Sequence, residues 1–234
     1  MSIVFSAANA ISPQPVCDRD AGSDGHIGVT VSVVRNRTVF NDGDRADYAY
    51  KVVSGAIRLC KLLPDGRRQI ADFCLPGDYF GLGLQDDYIF SAETVSDAVI
   101  IRYPRRSALN DGHLSAIARK TIMTALLREL SSAQLHLLML GCQSARERLA
   151  SFLLMLYDRQ AGAGDTPGRV FLPMGRQDVA DYLGLTIETV SRSIGELKRC
   201  GVIMTLSARE IILCDAEALR ELAALDLPGT AMAS

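Results

Sequence analysis

The stretch "DVADYLGLTIETVSRSIGELKR", residues 178–199, reads as two short helices joined by a single Gly-Leu step. Working outward, Gly175 stands where an N-cap belongs, and residues 176–183 make about two turns with Val179, Ala180 and Leu183 on one side. Gly184 ends that helix, because glycine enters the left-handed region without a Cβ penalty. Thr186 is placed to cap the next helix, and Glu188 falls in its first turn, where the helix dipole favours an anion. Val190, Ile194 and Leu197 form the inward stripe of this second helix. Glu188, Ser191 and Arg192, at i, i+3 and i+4, then share its opposite face.

A helix, a glycine turn and a second helix is the arrangement in which the second element enters the major groove of DNA. The outer face has suitable chemistry: Glu188 accepts from cytosine N4, Arg192 pairs with guanine N7 and O6, and Ser191 serves a base edge or a phosphate. The same spacing also suits a solvated face with an internal Glu188–Arg192 ion pair. After Gly201, "VIMTLSAREIILCD" reads as a two-stranded hairpin, a wing with Arg209 at its tip in reach of the phosphate backbone. Arg176, Thr186 and Thr189 are further candidates for phosphate contacts. From residue 169 to 215, six basic residues stand against six acidic ones. Affinity for a polyanion therefore depends on where a few groups point, not on bulk charge.

The whole chain repeats that balance. Its 234 residues carry 25 Lys and Arg against 27 Asp and Glu, a formal charge of -2, so composition does not announce a strongly basic nucleic-acid binder. With 48% hydrophobic residues it can build a core. The six cysteines, Cys17, Cys60, Cys74, Cys142, Cys200 and Cys214, are scattered and never form CxxC, which argues against zinc or an iron–sulfur cluster. Residues 1–26 lack a basic start followed by a long apolar run. We therefore expect a flexible N-terminal segment, neither a signal peptide nor a membrane anchor, and a cytoplasmic chain with reduced thiols.

Upstream of the helix pair the chain changes character twice. Residues 27–106 are rich in β-branched residues between turn signals, as in "VTVSVV", "YKVVSGAIRLCKLL" and "AETVSDAVIIRY", and predict an antiparallel roll or sandwich. Leu63-Pro64-Asp65-Gly66 predicts a hairpin turn with Gly66 at positive φ. Residues 107–141 predict a long helix on which Met123, Leu127, Leu130, Gln134 and Leu137 follow 4,3,4,3 spacing. About 30 helical residues exceed the usual globular length, which favours a dimer seam over packing on the chain's own β domain. Gly141-Cys142-Gln143-Ser144 interrupts the pattern and predicts a hinge; "ARERLASFLLMLYDR" resumes as a helix, and "AGAGDTPG", residues 161–168, as a loop. The predicted class is α+β: a β-roll at 27–106, a dimerisation helix at 107–141 and a winged helix-turn-helix domain at 142–234.

On these residues the chain resembles the CRP/FNR superfamily of bacterial transcription regulators. "DVADYLGLTIETVSRSIGELKRCGVI" is similar to its winged helix-turn-helix, and the E-T-V-S-R core to its FNR and FixK branch. "YKVVSGAIRL", "LPDGRRQIADFCLPGDYFG" and the long helix follow in the order of that family's β-roll and dimer helix. The resemblance implies a homodimer reading a palindrome, with recognition helices one DNA turn apart, roughly 34 Å. It implies Glu188, Ser191 and Arg192 as base readers and a site of the TTGAT-N4-ATCAA type. Ile187, where the cyclic-AMP receptor branch has arginine, agrees with that preference. It also implies contacts with RNA polymerase through the loop at 158–169 and the turn at 84–88, and activation of genes tied to oxygen limitation or nitrogen oxides.

The effector is read from missing residues. Where cyclic-AMP binders in the family carry a Gly-Glu pair and an Arg-Ser, this chain has Phe80-Gly81-Leu82-Gly83 and Phe90-Ser91-Ala92, so a phosphodiester lacks its charge partners. A [4Fe-4S] cluster needs four thiolates, three of them near the N-terminus, and only Cys17 is there. His26 and His113 leave haem open as an effector-dependent alternative. We expect the FixK-like mode, with no cofactor. Cys200, following Arg199, is a candidate redox brake, since an oxidised, anionic sulfur would repel phosphate; an inert half-buried thiol is the alternative. A rival class, a ligand-binding or enzymatic protein with the roll as its working part, finds no Ser-His-Asp, paired-carboxylate or P-loop constellation, so no enzyme is expected.

Overall fold

The computed structural model describes residues 28–83, 85–105, 116–160 and 167–224, with the backbone alone for 116–119. It is α+β and divides into two compact units between Ser131 and Ser132.

The N-terminal unit holds eight strands: β1 (Val29–Val33), β2 (Thr38–Phe40), β3 (Tyr48–Ser54), β4 (Ile57–Leu62), β5 (Arg68–Cys74), β6 (Tyr79–Phe80), β7 (Ser91–Thr94) and β8 (Ala98–Pro104). They form two antiparallel four-stranded sheets, ordered β1-β8-β3-β6 and β2-β7-β4-β5. Alternation drives the closure: Val33, Val52, Ile57, Leu59 and Ile100 point inward and bury their apolar surface between the sheets. The β4–β5 turn is the expected one. Gly66 has φ +85° and donates its N–H to the Leu63 carbonyl (2.9 Å), while the Asp65 carboxylate accepts the Arg67 N–H (3.0 Å).

Four aromatic rings fill the middle of the roll. Phe40 stacks on Tyr88 with centroids 3.6 Å apart, Tyr50 stacks on Phe80 at 5.0 Å, and Phe40 lies 6.0 Å from Phe80. All four are buried. The Tyr88 hydroxyl donates to the Tyr48 carbonyl (2.6 Å), and burial pushes the Tyr50 and Tyr88 phenols above their ordinary value, so both stay neutral hydrogen-bonding groups.

Helix α1 (Ala116–Cys142) has 27 residues and is about 40 Å long. Residues 107–115 of the expected helix lie outside the described residues. In the single chain Met123, Leu127, Leu130 and Leu137 are 57, 57, 55 and 72% exposed, and Gln134 is exposed beside them. From Ser132 onward α1 belongs to the C-terminal unit, so the division falls inside the helix, upstream of the link at 141–144.

The C-terminal unit continues with α2 (Ala145–Gln160), β9 (Arg169–Phe171), α3 (Arg176–Leu183), α4 (Ile187–Arg199), β10 (Ile203–Thr205), β11 (Glu210–Leu213) and α5 (Ala216–Ala223). The wing expected as a two-stranded hairpin has a third strand, because "RVF" pairs β9 with β11 in the order β10-β11-β9, Val170 opposite Ile211. The Gln160 carboxamide satisfies the edge of β9, donating to the Phe171 carbonyl (2.7 Å) and accepting its N–H (2.9 Å). Leu149, Phe152, Leu153, Val179, Val190 and Leu197 form the core beneath the helix pair. Among the described residues no helix is long and apolar enough to cross a membrane.

Candidate nucleic-acid interface

The helix pair forms as its turn residues require. Gly175 is extended (φ -82°) and donates its N–H to the Asp178 carboxylate at 3.2 Å, which holds that buried side chain at the start of α3. Gly184 closes α3 in the left-handed region with φ +63°. Thr186 is extended, and its hydroxyl accepts the Thr189 N–H at 3.2 Å to start α4; the two threonine hydroxyls lie 3.1 Å apart. Val190, Ile194 and Leu197 are buried, joined by Ser193.

Glu188, Ser191 and Arg192 are all exposed on the other side of α4. Among the described residues no ion pair links Glu188 to Arg192, so the internal pair that the spacing permits is not formed. The Glu188 carboxyl is held below the usual carboxylate range by its own backbone N–H and by the Thr186 hydroxyl, which keeps it an ionised acceptor. Ser191 differs from expectation in one respect. Its hydroxyl donates back to the Ile187 carbonyl (2.8 Å), so what it offers outward is acceptor capacity.

The other candidates are placed less uniformly. Thr186 is exposed, and Thr189 and Arg176 are half-buried. Burial lowers the Arg176 guanidinium below its ordinary value, at the first residue of α3. Arg209 stands at the end of the β10–β11 turn, half-buried, its N–H on the Ser207 hydroxyl (3.1 Å) and its carbonyl accepting from Leu172 (2.8 Å). The Leu206 N–H bonds to the Glu210 carbonyl (2.9 Å), so the turn that closes the wing is residues 207–209 and includes Arg209. Lys198 and Arg199 are exposed in the last turn of α4 and escaped the sequence reading; a basic pair closing a recognition-type helix was the available signal.

The even count of charges conceals a spatial sorting. Asp178 caps α3, Asp181 accepts from the Gln177 amide (2.7 Å), Glu210 pairs with Arg169 (2.6 Å), and Asp215 accepts the Ala218 N–H to cap α5 (2.9 Å). Four of the six carboxylates are thus turned to bonds with neighbouring groups away from the Glu188–Ser191 face. Arg192, Lys198 and Arg199 remain exposed around the Glu188–Ser191 face.

Cys200 is exposed after α4, not half-buried, with its N–H on the Glu196 carbonyl (3.0 Å). Cys142 and Cys214 are also exposed, whereas Cys60 and Cys74 are buried, and burial pushes the Cys60 thiol up to about 11. Among the described residues no three His, Cys, Asp or Glu side chains gather as for a metal. Cys17, His26, His113, Leu84 and residues 161–166 of the loop expected to contact RNA polymerase lie outside the described residues. Phe80, on the segment that would hold a phosphodiester, points into the aromatic stack, and a Cβ at Gly81 would meet the Tyr48 carbonyl and the Tyr88 ring at 3.2 Å.

Comparison with known proteins agrees with both halves. Residues 147–222 match the Crp-like helix-turn-helix domain, and residues 30–111 the cyclic nucleotide-binding domain. The nitrogen fixation regulation protein FixK of Azorhizobium caulinodans is 43% identical over 84% of this chain and 79% of its own length. The FixK protein of Rhizobium meliloti is 41% identical over 80% of this chain and 83% of its own. The solved structure of FixK2 from Bradyrhizobium japonicum superposes with a TM-score of 0.78 at 36% identity, covering 86% of this chain and all of that one.

Proposed function

Because the chain belongs to the CRP/FNR superfamily, in its FixK-like branch, and is a DNA-binding transcription regulator of FixK/FNR type, we propose that it binds a TTGAT-N4-ATCAA-type palindrome as a homodimer without a small-molecule signal. The observation that carries this reading is the outer face of α4: Glu188 ionised, Ser191 an acceptor and Arg192 exposed, with no ion pair between Glu188 and Arg192 to break before a base is met. The exposed stripe from Met123 to Leu137 supports pairing of two copies. The filled roll supports independence from a cyclic nucleotide, since Phe40, Tyr50, Phe80 and Tyr88 occupy its middle. Names such as transcriptional activator protein FnrL and anaerobic regulatory protein among the relatives support activation under oxygen limitation.

A second reading, a sensor that needs a small anion, is favoured by one group. Arg102 on β8 lies over the Tyr48 ring at 4.4 Å, and its buried Nε has no hydrogen-bond partner. Fluorescence anisotropy on a labelled palindrome separates the two. The proposed function gives tight binding by the protein alone, weakening steeply with salt; binding that appears only after a cyclic nucleotide or another small anion is added would favour the sensor.

A further inference from the structure

The junction between α1 and the helix pair is built as a clamp. Arg148, on the first turn of α2, donates from Nε to the Gln143 carbonyl (2.9 Å), from Nη1 to the Leu183 carbonyl (3.0 Å) and from Nη2 to the Leu140 carbonyl (2.8 Å). Leu140 lies in the last turn of α1 and Leu183 ends α3, so two of these carbonyls have no partner within their own helices. One guanidinium therefore holds two helix C-termini and the link between α1 and α2, where the helix dipoles favour a cation. One turn earlier, the His136 ring stacks on Tyr182 with centroids 4.0 Å apart, and its Nε2 donates to the Tyr182 carbonyl at 2.9 Å.

Gln143 and Ser144 of the link are each held by hydrogen bonds. Gln143 is buried; its carboxamide donates to the Ala223 carbonyl at the end of α5 (2.8 Å) and accepts from the Ser151 hydroxyl (3.0 Å). The Ser144 N–H is held by the Glu147 carboxylate at 2.8 Å, and the Ser144 hydroxyl faces the Glu147 N–H at 3.5 Å, a capping box at the start of α2. These contacts all lie in the compact unit that begins at Ser132.

We propose that Arg148, assisted by His136, is a positioning residue that locks α3 and α4 to the end of α1, so that the separation and rotation of the two recognition helices are set by the dimer seam. The link at 141–144 is then a rigid joint and not a hinge. This rests on the palindrome reading above, because only a dimer that reads two half-sites has a spacing to fix. A base pair added between half-sites rotates one against the other by about 35° and moves it about 3.4 Å. A rigid joint rejects such a site, and a loosened one follows it.

The test measures anisotropy on TTGAT palindromes with spacers of three, four and five base pairs, and on a duplex carrying one half-site. Wild type prefers the four-base-pair spacer. Arg148→Gln reduces that preference roughly tenfold, while its half-site affinity and its dimer mass in sedimentation stay within about twofold of wild type. Arg148→Lys keeps the charge but not the planar fork and shows the same loss. Unchanged spacer preference in both variants overturns the clamp and leaves the palindrome reading intact. Loss of half-site binding together with spacer preference also overturns it, assigning Arg148 to general stability. A wild-type protein with no preference for any of the palindromes overturns the palindrome reading instead.

Discussion

At the scale of the residue, the candidate interface leaves a few charged groups exposed and out of ion pairs. Glu188 illustrates it: the local N–H and hydroxyl that start α4 also hold its carboxyl low, so it is an acceptor throughout the neutral range. Its folded value lies below the unfolded one, so any stabilisation it lends is present above the unfolded value and lost as pH falls through the folded one. Binding assayed between about pH 6 and 8 is therefore expected to keep its preference for cytosine over thymine at the Glu188 position, and a preference that fades as the pH is lowered across that range would count against an ionised Glu188 as reader. Gly184 gives a second prediction. A Cβ there meets only ordinary contacts, Leu140 at 3.5 Å and Arg148 at 3.6 Å, so the cost of Gly184→Ala comes from φ +63°. We expect about 1–2 kcal/mol of destabilisation by denaturant titration, and a change within error would show that α3 ends some other way.

At the scale of the element, α1 and the roll carry the argument. Leu127 and Leu130 are more than half exposed in one chain, an arrangement that a second copy relieves. Replacing both by Glu is expected to give a monomer by sedimentation equilibrium, with thermal stability of the roll retained; a dimer that persists would place the seam elsewhere. In the roll, Tyr88→Phe removes the hydroxyl from the Tyr48 carbonyl and should cost about 1–2 kcal/mol without altering DNA affinity of the folded protein, as anisotropy can check. This scale also shows what the sequence made legible. Gly66, Gly175, Gly184 and Thr186 announced their turns and caps because each solves a local steric or hydrogen-bonding problem. The third strand, the back-bonded Ser191 and the Arg148 clamp were not legible, since each depends on which distant carbonyl or strand the fold brings alongside. "RVF" is too short to declare its partner, and nothing in "ARERL" marks the second arginine as the one that reaches Leu183.

At the scale of the whole molecule, a chain of formal charge -2 meets a polyanion by sorting its charges in space. Carboxylates close caps and pair locally within the C-terminal unit, while Arg192, Lys198 and Arg199 stay exposed beside the reading face. On the proposed function, specificity rests on Arg192 above any other residue, because a bidentate guanidinium–guanine contact is worth about 1–3 kcal/mol of discrimination. The most direct measurement compares wild type and Arg192→Ala on the TTGAT palindrome and on a palindrome with its G·C pairs exchanged for A·T. We predict that wild type discriminates by at least about tenfold, and that Arg192→Ala binds both DNAs alike and more weakly than wild type binds its own site. An Arg192→Ala protein that binds the TTGAT palindrome as tightly and as selectively as wild type would contradict the account.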